Sequence, residues 1–261
     1  MRKSITDKLP AVVALMIIIL GWYALSESGI VPAYMLPSPV DVARTFVTDM
    51  PTLLSHGRVT MQETLYGLGL GILLAFVMAT VMDRFTVLDK ACYPLIIISQ
   101  TIPTIAIAPL LVLWMGFGMA PKITLVVITT FFPISIGLLN GYKGADRDAL
   151  NLLRSMGASE LQIFRHVKFP GALPAFFSGL QISASYAVVG AVVAEWLGGF
   201  EGLGVYMTRV KKAYAFDKMF AVIIFIVIIS LLLLLLVRVI AKISMPWAAP
   251  ENRYEKERKL K

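Results

Sequence analysis

Six runs of about 20 mostly apolar residues alternate with short polar stretches along this chain. They lie at roughly 9–28, 62–82, 92–114, 121–142, 172–197 and 218–240. A helix needs about 20 apolar residues to cross the hydrocarbon layer of a bilayer, so each run predicts one spanning helix. The longest stretches between them, about 29–61, 143–171 and 198–217, leave no room for a soluble domain. The pattern therefore predicts one all-α integral membrane domain over residues 1–261, with six transmembrane helices. Arg2 and Lys3 before the first run resemble the start of a secretory leader. Its apolar core is too long for one, and Trp22 and Tyr23 suit an interfacial belt. It is read as a retained helix.

Composition agrees. Of 261 residues, 58% are hydrophobic and 15% charged, where soluble domains carry about a quarter charged residues. The net charge of +8 is not gathered on one basic stripe, so it does not point to nucleic acid. Six spans put both termini on one side of the membrane. With cytoplasmic termini, 17 of the 24 basic residues fall inside, as the positive-inside bias requires. Lys211 and Lys212 run against that bias. One cysteine, Cys92, and two scattered histidines, His56 and His166, offer neither a disulfide nor a metal site. No catalytic constellation is visible. No phosphate-binding G-x-x-x-x-G-K-[ST] loop occurs, so any ATP that drives this protein binds to another chain.

Several spans carry features that an inert anchor would not need. Gly67 and Gly71 in the second span form a GxxxG pair, which suits close helix packing within the chain or a dimer seam. Ser99, Gln100, Thr101 and Pro103 interrupt the third span, where the proline predicts a kink. Thr129 and Thr130 do so in the fourth, and Ser183, Ser185 and Tyr186 in the fifth. Polar groups at membrane depth are costly unless they face protein or water. Gln100, Thr101, Thr129, Ser183 and Tyr186 are therefore candidates for a polar route across the membrane, although a serine or threonine can also bond back to its own helix. Glu195 is the acid near the end of the fifth span. It reads either as an interfacial residue beside Trp196 or as part of the route.

Residues 143–171 hold the remaining signal. Asp148 can cap a short helix bearing Leu152, Leu153 and Met156. Gly157 is placed to close it with a positive φ. Ser159 and Gln162 then form a capping box for a second short helix carrying Leu161, Phe164 and Val167, ended by Pro170. A helix–Gly-Ala–helix knob with an exposed Phe164 and basic neighbours suits docking to a partner protein, or an amphipathic helix on anionic lipid.

The stretch "LLRSMGASELQIFRHVKFPGALP" (152–174) resembles the cytoplasmic loop of bacterial ABC importer permeases. Gly157, Ala158, Phe164 and Pro170 match that motif, and Asn151 stands where the family has Glu. The resemblance extends to "MLPSPVDV" (35–42), "TIPTIAIAPLLVLWMGFGMAPK" (101–122) and "AEWLGGFEGLGVYM" (194–207). These are similar to the branch serving nitrate, sulfonates, taurine and thiamine precursors, and most like the hydroxymethylpyrimidine permeases. The resemblance implies a type I importer permease in the bacterial inner membrane. It implies coupling through Asn151, Met156, Gly157, Ala158, Ser159, Phe164 and Pro170 to an ABC ATPase subunit that carries the ATP and magnesium. It also implies an extracytoplasmic binding protein and a permease homodimer in lipid. A secondary transporter would often show inverted repeats, and none is seen.

Overall fold

The computed structural model describes residues 5–32 and 34–247, and the side chains from Leu9 onward apart from Ala11. Among the described residues there are helices and no strands. They are α1 (Ile5–Glu27), α2 (Pro39–Thr48), α3 (Met50–Arg84), α4 (Thr86–Ser99), α5 (Thr104–Met115), α6 (Met119–Lys143), α7 (Arg147–Ser155), α8 (Glu160–Ile163), α9 (Phe169–Gly198), α10 (Leu203–Lys212) and α11 (Phe216–Ser244). Four helical runs are long and apolar enough to cross a bilayer alone: α3, α6, the continuous Glu160–Gly198 run and α11. The other two expected spans are less simple. The apolar part of α1, Val12–Glu27, is shorter, and α4 and α5 reach spanning length only as a pair.

The core is a sandwich of α3, α6 and α9, made thin by glycine. A Cβ at Gly137 on α6 would fall 2.7 Å from the carbonyl oxygen of Ala175 on α9. Gly67 and Gly71 of α3 abut Val126 and Thr130 of α6. The GxxxG pair is thus used inside the chain, where missing side chains let two backbones approach. α11 closes over this core through Leu233, Val237 and Ala241. α1 stands at the edge, tied by the Trp22 indole, which donates to the Pro37 carbonyl at 3.1 Å and stacks on Phe220.

Three local expectations need correction. The third span is broken, not kinked: α4 and α5 meet at 99° across residues 100–103. Pro103 heads α5 from an extended conformation, and it also bars Ile102 from the helical region, so the ladder cannot continue. The cap of α7 is Asp146, whose side chain accepts from the Asp148 amide at 2.9 Å. Pro170 ends nothing. The chain passes from α8 through a five-residue π-helical turn, Phe164–Lys168, straight into α9. That wider turn accommodates the proline ring, which in a regular ladder collides with the carbonyl four residues back.

Candidate functional site

The break between α4 and α5 opens a cavity of about 320 Å³. Ser99, Gln100, Pro103 and Thr104 come from the break itself, Thr129 from α6, and Tyr186 and Val189 from α9. Irregular backbone at membrane depth is tolerated only where it is buried in protein or lines a water-filled space, and the break lines this cavity. Its lining includes no charged side chain. The hydroxyls of Ser99 and Thr129 bond back to Ile96 and Val126. The Gln100 amide, the Thr104 hydroxyl and the Tyr186 phenol remain as polar groups at the wall.

Gln100, Thr129 and Tyr186 are thus brought together. Thr101 and Ser183 are not. Thr101 donates to Ile98 beside the cavity, and Ser183 is fully buried, donating to the Thr130 carbonyl at 2.9 Å between α9 and α6. Glu195 lies elsewhere again.

That residue is not on the cavity wall. It is 1% exposed in a buried polar cluster. Glu195 Oε1 accepts from Thr60 Oγ1 and Oε2 from the Gly204 amide, both at 2.6 Å. The Leu203 amide donates to Thr60 Oγ1 at 2.8 Å, and the Gly202 amide to His56 Nδ1 at 3.1 Å. Because that nitrogen accepts, the ring proton sits on Nε2. Three amides at the start of α10 are therefore held by α3 and α9. The His56 ring stacks on Tyr206 at 5.1 Å, and the Tyr206 hydroxyl donates to Asp49. Burial and that carboxylate push the Tyr206 hydroxyl well above the usual phenol range. Beside this cluster, Lys122 of α6 donates to Glu63 Oε1 at 2.6 Å, both side chains almost wholly buried. Sequence reasoning missed Glu63, Lys122, His56 and Thr60. The signal was present, since 56, 60 and 63 recur at i, i+4 and i+7 on one helical face.

At the opposite end of the bundle lies the knob. α7 closes in a Schellman turn: the Ala158 amide donates to Leu153 and the Gly157 amide to Arg154, both at 3.0 Å, with Gly157 at φ +78°. The capping box is formed by the Ser159 amide with Gln162 Oε1 at 2.7 Å and the Gln162 amide with Ser159 Oγ at 3.3 Å. Phe164 is not the exposed anchor that was expected. Its ring turns inward, 5.3 Å from Tyr142 and 6.2 Å from Phe169. Leu152, Met156 and Leu161 take the outward positions, at 62%, 73% and 75% exposure. Asn151 is exposed and Pro170 half-buried. A cleft of about 350 Å³ runs beside Met156, Gly157, Ala158 and His166. Lys168 binds Asp83 at the end of α3 at 2.7 Å, fixing the knob to the bundle.

A polytopic bundle with a broken span, an uncharged cavity and an apolar knob at one end is the architecture of a membrane permease. Residues 67–248 match the family described as binding-protein-dependent transport system inner membrane component. The formylaminopyrimidine transport permease protein ThiX of Halalkalibacterium halodurans is 34% identical over 248 residues, 95% of this chain and 98% of that one. A probable ABC transporter permease protein of Haemophilus influenzae is 38% identical over 208 residues, 80% and 85% of the two chains. The MetNI methionine ABC transporter shares the fold, with a TM-score of 0.58 and 19% identity over 75% of this chain and 95% of that one. The chain belongs to the family of binding-protein-dependent inner membrane components, as a permease of the ABC importer class.

Proposed function

We propose that this permease imports a small, neutral, pyrimidine-type solute, driven by a separate ABC ATPase that docks on the knob. The knob carries this reading. Leu152, Met156 and Leu161 expose a large apolar surface around a Gly157 turn, and a cleft beside it can receive a partner's side chain. In the arrangement we propose, two copies of the permease pair in the inner membrane with cytoplasmic termini and knobs. An extracytoplasmic binding protein delivers the solute at the other face, and this chain binds no cofactor of its own.

The cavity at the α4–α5 break supports the substrate class. A wall with hydroxyls and one amide but no cation gives an anion no charged partner to offset its desolvation, whereas a neutral ring with hydrogen-bonding edges loses little on entering. The full-length similarity to a formylaminopyrimidine permease points the same way. Relatives such as the taurine permease TauC of Escherichia coli, 26% identical, define the competing reading.

The test is ATP-dependent uptake in proteoliposomes holding the permease, its ATPase and its binding protein. Labelled formylaminopyrimidine should accumulate and taurine should not. Accumulation without ATP or without the ATPase would overturn the coupling reading, and preferential taurine uptake would overturn the substrate class.

A further inference from the structure

Glu63, Lys122 and Glu195 come from α3, α6 and α9 and are 0%, 4% and 1% exposed. Two carboxyls and one ammonium are thus buried close together, and the ammonium is paired with Glu63. Lys122 satisfies Oε1 of Glu63. The other oxygen, Oε2, is buried and has no donor. Glu195 is bonded to Thr60, one turn before Glu63 on the same face of α3, so the two carboxyls are neighbours, and two bare carboxylates placed so would repel each other. A buried acceptor without a donor and a buried charge without a partner are each costly, and one addition removes both costs.

We propose that Glu63 and Glu195 hold a single proton between them, so that with Lys122 the cluster carries no net charge, and that this proton keeps the start of α10 seated on α3 and α9. With the proton in place, one carboxyl donates to the other and Glu63 Oε2 can gain its missing partner. Glu195 still accepts from Thr60 and Gly204, because a carboxylic acid hydroxyl accepts as well as donates. Glu195 is then a positioning residue. It orients two backbone amides at the start of α10, Gly204 through its own contact and Leu203 through Thr60. Glycine is required where this happens: a Cβ at Gly204 would fall 3.0 Å from Glu195 Oε2, and Gly202 sits at φ +120° against the same carboxyl.

Few other charges face the cluster. α5, which also packs on α9, has no ionisable residue. The loop before α10 and α10 itself bring Glu201 and Arg209 to the His56 side, together with Asp49. On α11, Lys218 faces Asp49 at 3.9 Å and Asp217 accepts from Thr45, both away from Glu195. The charge balance is therefore set by Glu63, Lys122 and Glu195.

The inference is independent of the substrate and of the ATPase, and its test needs only the full-length permease in lipid nanodiscs. Infrared spectroscopy at neutral pH should show the carbonyl stretch of a protonated, exchange-resistant carboxylic acid. That band should vanish in Glu195→Gln and in Glu63→Gln alike, because either change leaves one carboxylate for one ammonium. Glu195→Gln should fold and keep α10 in place. Its amide can donate to Glu63 while Thr60 turns its proton to the His56 carbonyl, 3.3 Å away. As pH rises and the wild-type cluster loses its proton, the wild-type Tm should fall while that of Glu195→Gln stays flat. A wild type with no such band, a band that persists in both variants, or parallel pH profiles would overturn the proposal.

Discussion

Lys168 reaches Asp83 at 2.7 Å, tying the π-helical turn beneath α9 to the end of α3. Both side chains are largely buried, at 19% and 12% exposure, so the pair is shielded from the screening that weakens surface ion pairs. Among the described residues it is the one well-formed bridge from the knob to α3. The neighbouring Arg84–Glu160 pair spans 3.8 Å in the open.

Asp83→Ala should therefore lower uptake per ATP hydrolysed several-fold, because knob and α3 no longer move together. Removing one partner of such a charged hydrogen bond costs about 1.5–3 kcal/mol. Arg84→Ala should change little, within about 1 kcal/mol in stability. The coupling ratio in proteoliposomes checks both, and the swap Asp83→Lys with Lys168→Asp should recover part of the loss.

Gly157 at φ +78° has open space around its Cα, so a substitution there meets backbone strain and no clash. Gly157→Val should cost about 1–2 kcal/mol of local stability, untwist the Schellman turn and abolish co-purification of the ATPase. Gly157→Asn, which tolerates this conformation, should keep most of it. Membrane insertion should be the same in both.

Gly71 and Gly69 are two residues apart with opposite consequences. Gly71 abuts Thr130, whereas Gly69 has nothing within 4 Å. Gly71→Leu should overpack the α3–α6 contact and cost about 1–3 kcal/mol or more, seen as a lower Tm in detergent. Gly69→Ala should be neutral or stabilising, by up to about 1 kcal/mol.

In the cavity, Gln100→Leu and Tyr186→Phe each remove one polar group from the uncharged wall. Loss of one hydrogen bond of about 1 kcal/mol corresponds to roughly a five-fold rise in KM for uptake. Ser183→Ala should raise KM no further than its packing role demands, since its hydroxyl serves the Thr130 carbonyl.

Much of the knob was legible in the sequence because its signals are local. Gly157 as the αL residue and the Ser159–Gln162 box depend on contacts three to five residues apart. The direction of Phe164 was not legible, because Tyr142 and Phe169, which draw it inward, decide it across helices. The break of the third span was half-legible. Pro103 announced an interruption, but a 99° turn also requires surroundings that receive the free backbone.

The sequence by itself determined where apolar runs could cross a membrane and where short helices start and stop. Hydropathy and capping act through nearest neighbours along the chain, so one dimension suffices to read them. Only the tertiary structure decided that Glu195 meets Thr60, 135 residues away, and that Glu63 meets Lys122. Those encounters depend on how closely α3, α6 and α9 pack, which the glycines permit and the helix register fixes. Burial follows from that packing: Glu63, Lys122 and Glu195 are 0%, 4% and 1% exposed.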